Sequence, residues 1–150
     1  MKPPMSLSTD GLIFIEDEES LRLHPYTVEG VFHIGFGHKM DPIEIKELVP
    51  NGSITEEDAA ALLREDVCIA VDSVNRSVTV PLSQNQFDAL VSFAFNVGVG
   101  AFEGSTLLKV LNLGEYKAAA QQFLRWDHVN GRVVQGLLER RIAEQKRFLH

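Results

Sequence analysis

The sequence of 150 residues has few features that would anchor it in a membrane or cross-link it covalently. It contains one cysteine, Cys68, so an internal disulfide is excluded. The best candidate for a targeting segment, Leu12–Ile15, is far too short for a secretion signal or a membrane span. We therefore expect a protein that folds in the cytoplasm without membrane insertion, and that needs a separate route outward if its target lies beyond the membrane.

Positive charge is also scarce, with 14 lysines and arginines against 21 acidic residues and a net charge of −7. Residues 1–66 carry 14 acids and 5 bases, whereas residues 67–150 carry 7 acids and 9 bases. Nucleic-acid binding is disfavoured, because contact with phosphates needs a basic face. The five histidines are scattered without the spacing of metal ligands, so the sequence predicts no metal site and no cofactor.

The order of predicted elements is helix, small antiparallel sheet, long helix and helical bundle, which is an α+β fold with the strands segregated at one end. Alternating residues predict two strands, 21–26 and 31–36. Within a single domain over 1–150, a sheet lobe is expected at about 19–52, a linking helix at about 55–76 and a helical lobe at about 82–150. A crevice between such lobes is where a ligand site is expected.

Glu19 is the first candidate functional residue. Ser8 or Thr9 can cap a helix with apolar positions at spacings of three and four, and Glu19 continues that apolar face. A carboxylate on an inward face is costly unless it is paired or faces a cleft. A hairpin with its turn at Glu29-Gly30 follows at once, so the pattern directs Glu19 toward whatever the hairpin holds.

Several segments together resemble one enzyme family. Glu19–Tyr26 reads ESLRLHPY, Gly30–His38 reads GVFHIGFGH, Gln86–Gly98 has the pattern of a buried helix, and Gly136–Glu144 reads GLLERRIAE. In this order and at these spacings, the segments resemble the phage-type lysozymes, the muramidases of glycoside hydrolase family 24. The resemblance covers nearly the whole chain and implies a lysozyme-like fold.

The resemblance also implies an activity, partners and site residues. It implies an endolysin that hydrolyses the bonds between N-acetylmuramic acid and N-acetylglucosamine in peptidoglycan, with Glu19 as the general acid. Arg141, or less favourably Arg140, would orient Glu19, and Asn96 would bond an acetamido group or order water; surface pairing and a buried, backbone-bonded Asn remain open. Such a protein is expected to be a monomer in the host cytoplasm until a separate holin releases it to the cell wall.

The chain departs from the family pattern in the hairpin. The family usually has an Asp and then a Thr after the catalytic Glu, and the connecting segment here is one residue shorter. Aligned from Glu19, the Asp position holds Val28; aligned from Gly30, it holds Thr27. His33 stands where the family has Thr. Both departures fall on the group that would handle the water.

Three interpretations follow from these departures. In the first, His33 acts as the base or nucleophile-like partner of Glu19, which could change the outcome from inversion to retention. In the second, Glu29 replaces the Asp from a shifted turn, with Thr27 as a further candidate for positioning water, although Glu29 reads more simply as solvated. In the third, the site is degenerate and the domain binds glycan or a protein partner without cleavage. The retained Glu19 favours the enzyme, with His33 as its second group.

Overall fold

The computed structural model describes residues 2–150, which form two compact units. The sheet unit consists of residues 13–68, and the helical unit consists of residues 2–12 together with 69–150. The helices are α1 (Thr9–Glu18), α2 (Pro42–Leu48), α3 (Glu56–Asp66), α4 (Cys68–Ser77), α5 (Gln84–Val97), α6 (Val99–Glu103), α7 (Thr106–Asn112), α8 (Tyr116–Gln122) and α9 (Gln135–Leu149). The strands are β1 (Arg22–Val28), β2 (Val31–Gly35), β3 (His38–Met40), β4 (His128–Val129) and β5 (Arg132–Val133).

The sheet unit is built on an antiparallel sheet of order β1-β2-β3. Val28 pairs with Val31, so the β1–β2 turn has only two residues, Glu29 and Gly30, with φ of 50° and 81°. Positive φ at both positions is what a two-residue turn between twisted strands requires. The predicted hairpin is thus observed, whereas the third strand, β3, was not expected from the sequence.

One face of this sheet packs on a small apolar core. The core consists of Ile34, Met40, Val49, Ile54 and Ala59. Gly35, with φ of 67°, ends β2 where α3 comes close, since a Cβ at this position would lie 3.2 Å from the Cβ of Ala59. Because Ile34 belongs to this core, the neighbouring side chain of His33 points to the opposite face of β2.

The single helix predicted at about 55–76 is wrong in detail, because two helices occupy this segment. α3 starts at the expected capping box, in which Thr55 and Asp58 each accept the other's backbone N–H. It ends at buried Val67, whose ψ of −14° tightens the last turn before α4 begins at Cys68.

α5 is the centre of the helical unit, with a buried run from Phe87 to Ala94, as its nearly all-round apolar pattern predicted. Buried Asp88 accepts hydrogen bonds from the Ser8 N–H at 3.1 Å and from the Ser8 hydroxyl, while Ser8 Oγ accepts the N–H of Gly11. A Cβ on residue 11 would lie 2.5 Å from Cγ of Asp88, so only glycine fits there. The first residues of the chain are therefore tied to α5.

Short elements connect α8 to α9 in the helical unit. α8 ends at Gln122 and continues as a 3-10 turn, Phe123–Arg125. A turn at Asn130-Gly131 then joins β4 and β5 in a short hairpin. Within residues 2–150, no helix combines the length and apolar character that crossing a membrane requires.

Candidate active site

Glu19 lies immediately after α1 in the sheet unit and is half-buried. Its N–H bonds the carbonyls of Ile15 at 3.0 Å and Glu16 at 3.2 Å, which fixes the backbone as a continuation of the helix. Its Oε2 lies 3.9 Å from the point where a Cβ on residue 37 would stand, and Gly37 has φ of 83° in the β2–β3 turn. The expected acid is thus held against the turn that follows the strand of His33.

His33 lies on β2, directly opposite Tyr26 of β1. The two rings are stacked, with centroids 5.5 Å apart and planes inclined by 27°. The Cζ atom of Arg22 lies 4.9 Å from the centroid of the Tyr26 ring. The Nδ1 atom of His33 is buried and has no hydrogen-bond partner, so Nε2 is the ring nitrogen left to meet a ligand.

The strand register separates the other candidates of the hairpin. Successive side chains of a strand point to opposite faces, and directly paired residues share a face. Val28 is therefore on the face of His33, whereas Thr27 pairs with Phe32 on the other face. Glu29 is exposed in the turn. The structure brings Tyr26 and Val28 to the face of His33, but not Thr27.

Asn96 and Arg141 meet in the helical unit. Arg141, only 1% exposed, donates through Nη2 to Oδ1 of Asn96, through Nη1 to Glu144, and through Nε to the carbonyl of Trp126 at 2.9 Å. Its guanidinium also lies over the ring of Phe93, 5.2 Å from the centroid. Asn96 is exposed, and because its oxygen is engaged by Arg141, its NH₂ group is the donor it presents to a ligand.

Glu144 is the buried counter-charge of this network, and sequence reasoning did not single it out. It accepts from Arg140 at 3.3 Å, from the Ser92 hydroxyl at 2.6 Å and from Arg141, and it is fully buried. The signal in the sequence that could have identified Glu144 as buried is its spacing from the apolar residues of α9. Leu137, Arg141, Glu144 and Phe148 recur at intervals of four and three, so the two charges lie on the apolar stripe of α9.

His38 is held between two carboxylates of the sheet unit. Its Nδ1 lies 3.0 and 2.8 Å from the oxygens of Asp66, and its Nε2 lies 3.3 Å from Oε2 of Glu44. Burial alone lowers the pKa of His38, but the hydrogen bonds and charges of Asp66 and Glu44 outweigh it and raise this pKa. Burial also raises the pKa of Asp66, against the lowering effect of His38. The cluster therefore holds a proton more tightly than the unfolded chain does.

We expect the contribution of His38 to stability to depend on pH. Because its pKa is raised on folding, the contribution is fully present below the ordinary value of 6.5 and is lost as pH rises through the folded pKa. His38→Gln should lower the free energy of unfolding more at acidic than at alkaline pH. Urea denaturation on both sides of this window measures the difference, with exposed His24→Gln as the control. Equal losses at both pH values would contradict the expectation.

The residues described above fall within the match to one family. A family model described as phage lysozyme matches residues 16–144, a range that includes the candidate residues from Glu19 to Arg141. The chain belongs to the phage lysozyme family. The resemblance inferred from the sequence motifs is confirmed, and so is the lysozyme-like α+β fold class.

Individual relatives extend this family assignment. The chain is 44% identical over 147 residues to the endolysin of Bacillus phage PZA, covering 96% of this chain and 55% of that protein. It thus spans about half the length of this curated relative and of a second Bacillus phage endolysin. A mutant of phage P22 lysozyme is 40% identical with a TM-score of 0.85, covering 97% of this chain and 99% of that chain. The muramidase domain of SpmX from Asticaccaulis excentricus is 39% identical with a TM-score of 0.86, covering 97% and 98%.

Within this member of the family, the candidate residues form two groups. The sheet unit holds Glu19 and His33, and the helical unit holds Asn96 and Arg141. No group of three histidine, cysteine, aspartate or glutamate side chains in residues 2–150 is arranged to hold a metal ion.

Proposed function

We propose that the chain is a glycoside hydrolase that cleaves the bonds between N-acetylmuramic acid and N-acetylglucosamine in peptidoglycan. One observation carries the proposal: Glu19 is half-buried at the end of α1 and lies against the glycine turn at Gly37, inside the family match. A carboxyl group in a partly buried position is suited to carry a proton to a leaving oxygen.

In the proposed reaction, the carboxyl proton of Glu19 moves to the glycosidic oxygen as the bond to the anomeric carbon breaks. The anomeric carbon develops positive charge and must receive an oxygen from water, directly or in two steps. When water attacks directly, its proton passes to a base. In the two-step route, a nucleophile first bonds the anomeric carbon, and water then displaces it while Glu19 takes the proton from that water.

We assign to His33 the role of the second group, which either activates the attacking water or attacks the anomeric carbon itself. Its Nε2 is the available nitrogen, because Nδ1 is buried in the sheet. As a base it would give inversion at the anomeric carbon, and as a nucleophile it would give retention. Proton NMR of freshly released sugars distinguishes the two anomers. Glu29 is the weaker candidate for this role, because it is exposed in the turn.

We propose that Asn96 of the helical unit binds the substrate and that Arg141 positions Asn96. The NH₂ group of Asn96 can donate to the carbonyl oxygen of an acetamido group or to water, and its orientation is set by Arg141. Arg141 is in turn held by Glu144 and by the Trp126 carbonyl.

The activity is tested by incubating the protein with purified sacculi. We expect turbidity to fall and the released fragments to end in reducing N-acetylmuramic acid, which borohydride reduction and mass spectrometry identify. Fragments that end in reducing N-acetylglucosamine would refute the bond assignment. Failure to release fragments over a wide pH range would refute the proposal that the chain is a glycoside hydrolase.

A second function is favoured by one observation. None of the four residue pairs between β1 and β2 contains a carboxylate, so the usual partner of the catalytic acid is missing from these strands. A domain of this kind could bind glycan or act as a protein scaffold. It would bind sacculi in a sedimentation assay without releasing fragments, and Glu19→Gln would leave that binding unchanged.

We expect His33→Ala to lower the rate of sacculus digestion by about a hundredfold, the size of effect typical of a missing general base or acid. Exposed His24 on the neighbouring strand provides the control, and His24→Ala should digest sacculi at the wild-type rate. Activity of His33→Ala close to that of the wild type would show that another group handles the water.

The release of the protein to its substrate is also part of the proposal. Relatives of this chain are named endolysins. We propose that this chain acts on the wall as a monomer, after a separate holin opens a path from the host cytoplasm. Expression with and without a holin tests this: the culture should lyse only when both proteins are made.

A further inference from the structure

On the hairpin, Tyr26 contacts both Arg22 and His33. The guanidinium of Arg22 covers the ring of Tyr26, and the ring of Tyr26 stacks on the imidazole of His33. We propose that Tyr26, held in place by Arg22, is a positioning residue that sets the ring plane of His33 and directs Nε2 to the reacting bond. This inference rests on the proposed role of His33 in the reaction.

The need for such a residue follows from what His33 lacks. A reactive histidine is commonly oriented by a hydrogen bond that its second ring nitrogen donates to a carboxylate or a backbone carbonyl. In this protein the second nitrogen, Nδ1, is buried without a partner. Stacking against Tyr26 is therefore the contact that restrains rotation of the imidazole about its side-chain bonds.

An irregularity in the strand register brings Arg22 within reach of the Tyr26 ring. Arg22 pairs with Gly35 and Tyr26 pairs with His33, so β1 advances by four residues while β2 advances by two. Because β1 has two extra residues between these pairs, it bends out of the regular ladder. Arg22 and Tyr26 therefore lie about as far apart as two residues spaced i and i+2 on β2, which is about 7 Å. A long arginine side chain spans this distance and reaches the Tyr26 ring.

The two contacts on Tyr26 have complementary chemistry. The face of an aromatic ring is electron-rich, so the guanidinium of Arg22 is attracted to it. The imidazole of His33 is inclined by only 27° to the same ring, a near-parallel stacked arrangement. Tyr26 is half-buried, whereas Arg22 is exposed.

The test replaces Tyr26 and follows both catalysis and the imidazole itself. We expect Tyr26→Leu to lower kcat on soluble peptidoglycan fragments by about tenfold or more, with a smaller change in KM, because a displaced reacting group slows chemistry. Tyr26→Phe keeps the ring and should restore most of kcat. Arg22→Gln should show a smaller loss of about twofold, and exposed Arg64→Gln on α3 is its control.

Two further measurements separate positioning from simple structural support. In a His33→Ala background, Tyr26→Leu should cause no further loss of kcat, whereas a structural role would lower kcat in both backgrounds. The ring proton resonances of His33 should shift in Tyr26→Leu as the neighbouring ring current disappears. Phe32→Leu is the matched control, since Phe32 adjoins His33 on β2 but points to the opposite face.

The failures of the two proposals can be told apart. If His33→Ala is fully active while the His33 resonances still shift in Tyr26→Leu, the stack exists but the proposed role of His33 is wrong. If His33→Ala is impaired but Tyr26→Leu keeps the wild-type kcat, His33 acts in the reaction and the positioning role of Tyr26 is overturned.

Discussion

Replacing Glu19 with glutamine should abolish the digestion of sacculi, with a loss of about a thousandfold or more. Glutamine keeps the size and polarity of the side chain but has no proton to give to the glycosidic oxygen. Because Glu19 lies at the end of α1 and is only half-buried, the substitution should leave the fold intact. Rates of turbidity loss and of reducing-end release measure the effect.

The control for this variant lies on the same helix. Asp17 is exposed on α1, and Asp17→Asn makes the same carboxylate-to-amide change away from the turn at Gly37. We expect Asp17→Asn to digest sacculi at the wild-type rate, and both variants to melt near the wild-type temperature. If Glu19→Gln retains a tenth of the activity, another group must protonate the leaving oxygen.

The second large effect concerns stability, and it is expected for Glu144→Gln. Arg140 and Arg141 are 4% and 1% exposed, and both donate to the carboxylate of Glu144. Removing the negative charge leaves the guanidinium of Arg141 buried beside a neutral amide and weakens the bond that Arg140 donates. Breaking a buried ion pair in this way typically costs about 3 to 5 kcal/mol. For a chain of this size, the melting temperature should fall by roughly 6 °C or more.

Glu139→Gln provides the control for this prediction. Glu139 is exposed on α9 and accepts one hydrogen bond, from Gln135 at 3.3 Å. We expect its free energy of unfolding to change by about 0.5 kcal/mol or less, as for most surface substitutions. A similarly small change in Glu144→Gln would show that the two arginines find other partners or water when the carboxylate is lost.

Local rules were sufficient for much of the fold. The capping boxes at Thr55 and Ser83 mark the starts of α3 and α5 because each pairs a hydroxyl and an acceptor three residues apart. The glycine turn at Glu29-Gly30 likewise identified the hairpin. Each of these signals is contained in a few consecutive residues, which is why sequence alone revealed them.

Short elements without a buried stripe were harder to predict. α2 has no buried residue, so no apolar spacing revealed it. Its start signals were nevertheless present, because Asp41 accepts the N–H of Glu44 at 2.8 Å and Pro42 occupies the first helical position. An Asp-Pro pair is also typical of a turn that ends a sheet region, so these residues are consistent with both interpretations, and only packing decides between them.

The candidate site was predicted in the same uneven way. Glu19 was identified by its position on an apolar face, and His33 by its place in the motif. The stack of Tyr26 on His33 depends on the cross-strand register, which two extra residues in β1 determine. No pattern of neighbouring residues in the sequence predicts such an irregularity in the register. Glu144 was missed because a charged residue in a charged helix reads as solvated until its neighbours are known to be buried.

The attachment of Ser8 and Gly11 to Asp88 bears on how the chain folds during synthesis. Residues 13–68 are contiguous, so the sheet unit can fold while the rest of the protein is still being made. Residues 2–12 are made before the sheet unit, yet their partner helix, α5, is translated more than seventy residues later. This segment can therefore dock only after α5 has emerged, and the bond from Ser8 to Asp88 closes a loop of 80 residues.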